Sequence, residues 1–144
     1  MRAALVGLVL ASSCALQSWT TPQPYFKTTR PEGAWARAVK ATEAHCGGVR
    51  TVNEESGVIV GQWIAWNTAD GLVLTQCLVT LLRGDEYVRD VRVSFAARQC
   101  PLSDMDDLEA LAKNCPVAET VPEQVKNGLV LTGEKLEAAI NTVP

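Results

Sequence analysis

Five cysteines and a single histidine are the residues of this 144-residue chain best suited to chemistry. A cysteine can serve as a nucleophile, a metal ligand or half of a disulfide, and a histidine as a base or ligand near neutral pH. Spacing selects among these roles. Cys14, Cys46, Cys77, Cys100 and Cys115 contain no C-x-x-C pair, which argues against a thioredoxin-type redox site and a zinc ribbon. His45 adjoins Cys46, and no G-x-S-x-G, H-E-x-x-H, phosphate-loop or dinucleotide motif accompanies it. The sequence therefore assigns no catalytic, cofactor or metal residues, and the chain reads as a non-enzyme. The acidic run Ser103–Glu109 lacks the glycine and distal glutamate of a calcium loop, and its carboxylates suit a helix's first turn. Arg83-Gly84-Asp85 falls where a hairpin needs Gly-Asp, so it reads as a turn and not as an adhesion motif.

The odd cysteine count is explained at the start of the chain. Arg2 precedes an apolar run from Ala3 to Ala11, followed by Ser12, Ser13 and Cys14, the layout of an export signal. That run is too short for a membrane helix, which needs about 20 residues. Leu10-Ala-Ser-Ser-Cys14 resembles a bacterial lipobox, with Ala11 where that motif typically has leucine. The resemblance implies diacylglyceryl on Cys14, cleavage just before it, and membrane attachment through the lipid. Ala15, in place of the aspartate that favours inner-membrane retention, implies the outer membrane. The competing reading is cleavage after Ala15 and release as a soluble secreted protein. Either route removes one cysteine from the count and leaves an even set for two disulfides in an oxidising compartment.

The organisation expected is residues 1–15 as signal peptide, 16–31 as a flexible tether rich in proline, and 32–144 as one α+β domain. The formal charge of −3, made more negative by loss of Arg2, gives no attraction for nucleic acid. Trp35, Ala38, Val39, Thr42 and Cys46 recur at helical spacing and predict a helix over 32–46, stopped by Gly47-Gly48. Strand-like runs at 49–53, 57–66, 72–82 and 87–97 are divided by Gly/Asp/Asn turns and predict an antiparallel meander. Beyond it, Ser103 with Asp106 suggests a capping box, Thr120 with Glu123 another helical start, and residues 126–140 a turn around Asn127-Gly128, a short strand at 129–131 and a last helix capped by Thr132. The fold class is thus α+β: an N-terminal helix on a four-stranded antiparallel meander, with C-terminal helices over the other face or edge.

Two expected turns set the registers. Trp66 opposite Leu72 and Arg83 opposite Glu86 place Val58, Val60, Gln62, Ile64, Trp66, Leu72, Leu74, Gln76, Leu78, Val91, Val93 and Phe95 on one face. Gln62 then faces Gln76, an amide pair on an apolar surface that either satisfies itself or floors a ligand pocket. The other face, with Trp63 and Cys77, is expected to be covered by the C-terminal third or to form a contact surface. Strand direction favours Cys46–Cys100 with Cys77–Cys115 and disfavours Cys77–Cys100.

These readings converge on a non-catalytic, membrane-anchored cell-envelope protein acting as a protein-interaction or structural module, with an envelope protein as partner. Its general look is similar to small helix-on-sheet envelope lipoproteins. The alternative is a binder of a small molecule or envelope polymer, through Trp66 with the Gln62/Gln76 face or through Trp63 on the opposite face.

Overall fold

The computed structural model describes residues 18–27 (backbone only), 32–82, 90–104 and 106–141. The leader with Cys14, and the Gly84-Asp85 turn, lie outside the described residues. In chain order the elements are β1 (Ser18–Lys27), α1 (Ala34–His45), β2 (Val49–Asn53), β3 (Val58–Thr68), β4 (Gly71–Leu81), β5 (Asp90–Cys100), α2 (Leu108–Lys113) and α3 (Glu123–Asn141). Strands β2 to β5 form the antiparallel meander, with helices before and after it, and the class is α+β.

The segment read as a tether contributes a fifth strand. β1 pairs antiparallel with β5, from Ser18 opposite Ala96 to Lys27 opposite Asp90. Pro22 and Pro24 misled the reading because proline cannot donate to a ladder. Here both fall in the irregular stretch between Thr20 and Tyr25, on an edge strand, where a missing N–H is tolerated. Beyond Ser18, residues Pro116 to Ala118 take over the same edge of β5. Gln99 N–H donates to Pro116 C=O and Ala118 N–H to Ala97 C=O, both at 3.0 Å.

Both hairpin registers differ from those expected. Thr68 pairs with Gly71 around Ala69-Asp70, so Trp66 faces Val73, one residue from the expected Leu72. Farther along, Val60 still faces Leu78, as expected. The two registers are reconciled between Val60 and Trp63, where Gly61 and Gln62 together oppose Cys77. This is a β-bulge, which inserts one residue and reverses the in/out phase of everything after it. Between β4 and β5, Leu81 rather than Leu78 faces Val91, a slip of three residues. An odd slip exchanges the faces, so Val91, Val93 and Phe95 join Val73, Cys77 and Val79 rather than Leu72, Leu74 and Leu78.

The core consequently has two layers. On one face, Ile59, Val73, Val79, Val93 and Phe95 are buried beneath α1 and α3. Ala34, Ala38 and Ala41 give α1 a small-residue stripe that lets it approach closely, and Val125, Leu129, Leu136 and Ile140 do the apolar packing for α3. Arg37 fastens the helices together, its Nε–H donating to Ile140 C=O at 2.7 Å, one of the carbonyls a helix end leaves without an internal partner. On the other face, α2 lays Leu111 and Ala112 over Leu72 and Leu74. Asp107, not Ser103, caps α2, accepting from Ala110 N–H at 3.1 Å. One continuous helix, α3, replaces the expected turn, strand and helix over 126–140, and the Thr132 hydroxyl donates back to Gly128 C=O within it.

The disulfides join Cys46 to Cys77 and Cys100 to Cys115, correcting the expected Cys46–Cys100 and Cys77–Cys115. Their Cα separations of 5.9 and 5.2 Å lie in the bridging range. Cys46 ends α1 over the middle of the sheet, above Gly61, rather than at the end where Cys100 lies. Cys77, on the unbulged strand β4, shares that face with Val73 and Val79. A Cβ on Gly61 would sit 2.9 Å from Cys46 Cβ and 3.1 Å from Cys77 Cβ, so only glycine lets the bridge cross β3. Peptide mapping without reductant is expected to recover Cys46–Cys77 and Cys100–Cys115 as the linked pairs. Gly61→Val should lower stability by about 1–3 kcal/mol through overpacking at the crossing, read as a fall in denaturant midpoint at unchanged slope.

Candidate functional site

The four residues singled out for binding, Gln62, Trp63, Trp66 and Gln76, all lie on β3 and β4, and the bulge distributes them. Trp66 falls on the α1/α3 face. Its indole N–H donates to the Thr75 hydroxyl at 2.8 Å, with Thr75 itself buried on the neighbouring strand. Its ring lies against α3 at Gly128, where an added Cβ would come within 2.9 Å of Cζ3 and closer still to Cη2. An indole with its donor satisfied and its ring under a helix is a packing anchor, not a pocket floor. Gly128, which the sequence reading took as a turn, is the notch in α3 that receives it.

Gln76 and Gln62 do not pair. Gln76 sits opposite Trp63, and its Nε2–H donates to Gly61 C=O at 3.1 Å. A bulge disrupts the ladder locally, and a half-buried carbonyl there needs a partner; the amide supplies one. Gln62 is exposed, and its Nε2–H donates to Val49 C=O at 3.2 Å while its backbone N–H donates to Gly48 C=O. The Glu43 carboxylate on α1 accepts from Val49 N–H at 2.7 Å, so the start of β2 is held from both sides. The two glutamines hold the bulge and the adjoining β2 start; they do not converge on a ligand.

Trp63 lies on the α2 face, half-buried against Leu72, Leu74 and Leu111. Arg50 of β2 reaches the same side and pairs with Glu109 of α2 at 2.8 Å, both side chains about a third or more exposed. Such an exposed pair contributes at most about 1 kcal/mol. Trp63 shares a face with Gln76 but not with Trp66, so the candidate residues form no single constellation. His45 closes α1, half-buried. Among the described residues, no three of His, Cys, Asp and Glu gather as a metal group.

Gly61, Thr75 and Gly128 are the residues that sequence reasoning missed. An isolated glycine in the strand run Val58–Trp66 is itself a bulge signal and could have marked Gly61. No comparable signal marks Gly128, since its role depends on a tryptophan far away in the chain.

The two bridges place the folded chain in an oxidising compartment outside the cytosol. No described helix is long and apolar enough to cross a membrane. No protein-family model matches the chain, and no curated protein matches it significantly. Among solved structures it is similar to a DUF4468 family protein from Bacteroides ovatus, at a TM-score of 0.40 and 12% identity over 83% of this chain and 88% of that one.

Trp66→Ala should destabilise the fold by about 3–5 kcal/mol, the range for removing a packed aromatic ring, measured by chemical denaturation. Trp66→Phe, which keeps most of the ring and loses the donor, should cost about 1–2 kcal/mol.

Proposed function

We propose that the protein is an exported, lipid-anchored module of the cell envelope that acts through protein contacts or as a structural element, without catalysis. The observation that carries this reading is the disulfide pairing. Cys46, Cys77, Cys100 and Cys115 are consumed in two buried bridges, and Cys14 alone is left over in the count. A leftover cysteine directly behind an apolar leader is the thiol that a lipobox presents for diacylglyceryl transfer. Ala15 after it supports the outer membrane. Several acyl chains, each CH₂ adding about 0.8 kcal/mol on burial, hold a protein stably where one chain would not.

The interaction reading is favoured over a ligand binder because the residues proposed for a binding floor are engaged elsewhere. Trp66 holds α3, and the two glutamines hold backbone carbonyls. The partner expected is another envelope protein.

Cell fractionation and intact-mass measurement test the anchor. The wild-type chain should sediment with membranes, carry diacylglyceryl on Cys14 and lack residues 1–13. Cys14→Ala should move to the soluble fraction, or stay with an uncleaved leader, with both later bridges intact. A wild-type chain that retains Met1, or that shows four alkylatable thiols beyond Cys14 without reductant, would overturn the proposal.

A further inference from the structure

We propose that the end of the sheet where β5 finishes is a membrane-contact surface, with Leu102 seated among lipid headgroups. This rests on the acylation of Cys14 proposed above and adds to it the part of the fold that meets the bilayer. The inference comes from chain length. β1 begins at Ser18, opposite Ala96 of β5, so only three residues separate the acylated cysteine from a strand fixed in the sheet. The four Cα–Cα steps from Cys14 to Ser18 reach at most about 14 Å. The headgroup layer through which they must pass is about 5–7 Å deep. Beyond Ala96, β5 continues to Cys100, and four strand residues extend about 13 Å. Because the strands are antiparallel, that overhang projects from the same end of the sheet at which β1 begins. The anchor therefore cannot hold this end clear of the surface: the overhang is longer than the reach left after the headgroups are crossed.

The exposed residues at this end suit such contact. Leu102 follows Cys100 by two residues and is 74% exposed, more than Val52, Leu82 or Leu131. Pro101 beside it is exposed as well. Asp70 in the β3–β4 turn is exposed at the same end, its carbonyl accepting from Gln99 Nε2. A carboxylate there gives no attraction to anionic lipid, so the contact is apolar and should not require negatively charged headgroups.

The test uses the full acylated chain, purified from membranes and reconstituted in phosphatidylcholine vesicles. A p-benzoylphenylalanine is placed at Leu102, or for comparison at Leu82 or Val52. Leu82 continues β4 at the opposite end of the sheet, and Val52 lies on the far edge strand. All three positions are exposed, so the substitutions leave the core untouched. Illumination should yield lipid adducts several-fold more abundant at 102 than at 82 or 52, and added phosphatidylglycerol should not raise them. Equal labelling at the three positions, or none at 102, in a chain whose mass shows diacylglyceryl on Cys14 would overturn the membrane-contact surface and leave the anchor standing. A mass showing unmodified Cys14 would instead bring down the anchor itself, and this inference with it.

Discussion

The two-for-one bulge at Gly61 and Gln62 is the constraint on which the rest of the structure depends. Without it, Ile59 and Trp66 would point to opposite sides of the sheet, because seven positions apart on an uninterrupted strand means opposite faces. The extra residue brings both onto the α1/α3 side, where Ile59 is fully buried and Trp66 receives α3. At the same place, the missing Cβ of Gly61 leaves room for the Cys46–Cys77 bridge. The local cost is a disrupted ladder, offset by Gln76 on the Gly61 carbonyl and by Gln62 on Val49. The bulge thus sets the phase of β3 and the seat of α3, and its glycine the landing point of α1.

The two faces are then closed by different means. α1 and α3 cover the larger face by apolar burial, each fully buried aliphatic side chain contributing roughly 1.5–3 kcal/mol, with Arg37 tying the ends of the helices. α2 has only six residues, too few to be stable alone, and holds the other face through Leu111, Ala112 and the Cys100–Cys115 bridge at its exit. The outer edge of β5 is covered along its length, by β1 and then by Pro116 to Ala118. Covered edges resist unwanted strand addition, and prolines in β1 serve the same end.

Elements were legible in the sequence where periodicity was local. α1 showed its stripe of Ala38, Thr42 and Cys46, and the four meander strands lie within three residues of where apolar runs and turn residues put them. Registers were not legible, because each hung on a turn. Ala69-Asp70 makes a tighter turn than the five residues from Asn67 to Gly71 suggested, and β5 starts well beyond the Gly-Asp pair. Each error was an odd number of residues, and an odd error reassigns a whole face. The wrong faces then produced the wrong glutamine pair and contributed to the wrong bridges. α3 was hidden because Gly128 reads as a helix breaker when seen alone. Its fit against Trp66, 62 positions away, is information that only the folded chain contains.

The bridges also bind the fold to its compartment. In the chain-entropy picture, closing separations of 31 and 15 residues stabilises by about 4 and about 3 kcal/mol. Small domains have a net stability of about 5–15 kcal/mol, so the two together are of the same order as the whole. The first joins α1 to β4 across β3, and the second joins the exit of α2 to the end of β5. Each therefore connects a helix to the sheet it covers, and reduction would loosen both layers where they meet the strands. A chain built this way remains marginal while its thiols are reduced. It reaches full stability only where its thiols can oxidise, so the fold and its oxidising compartment belong together.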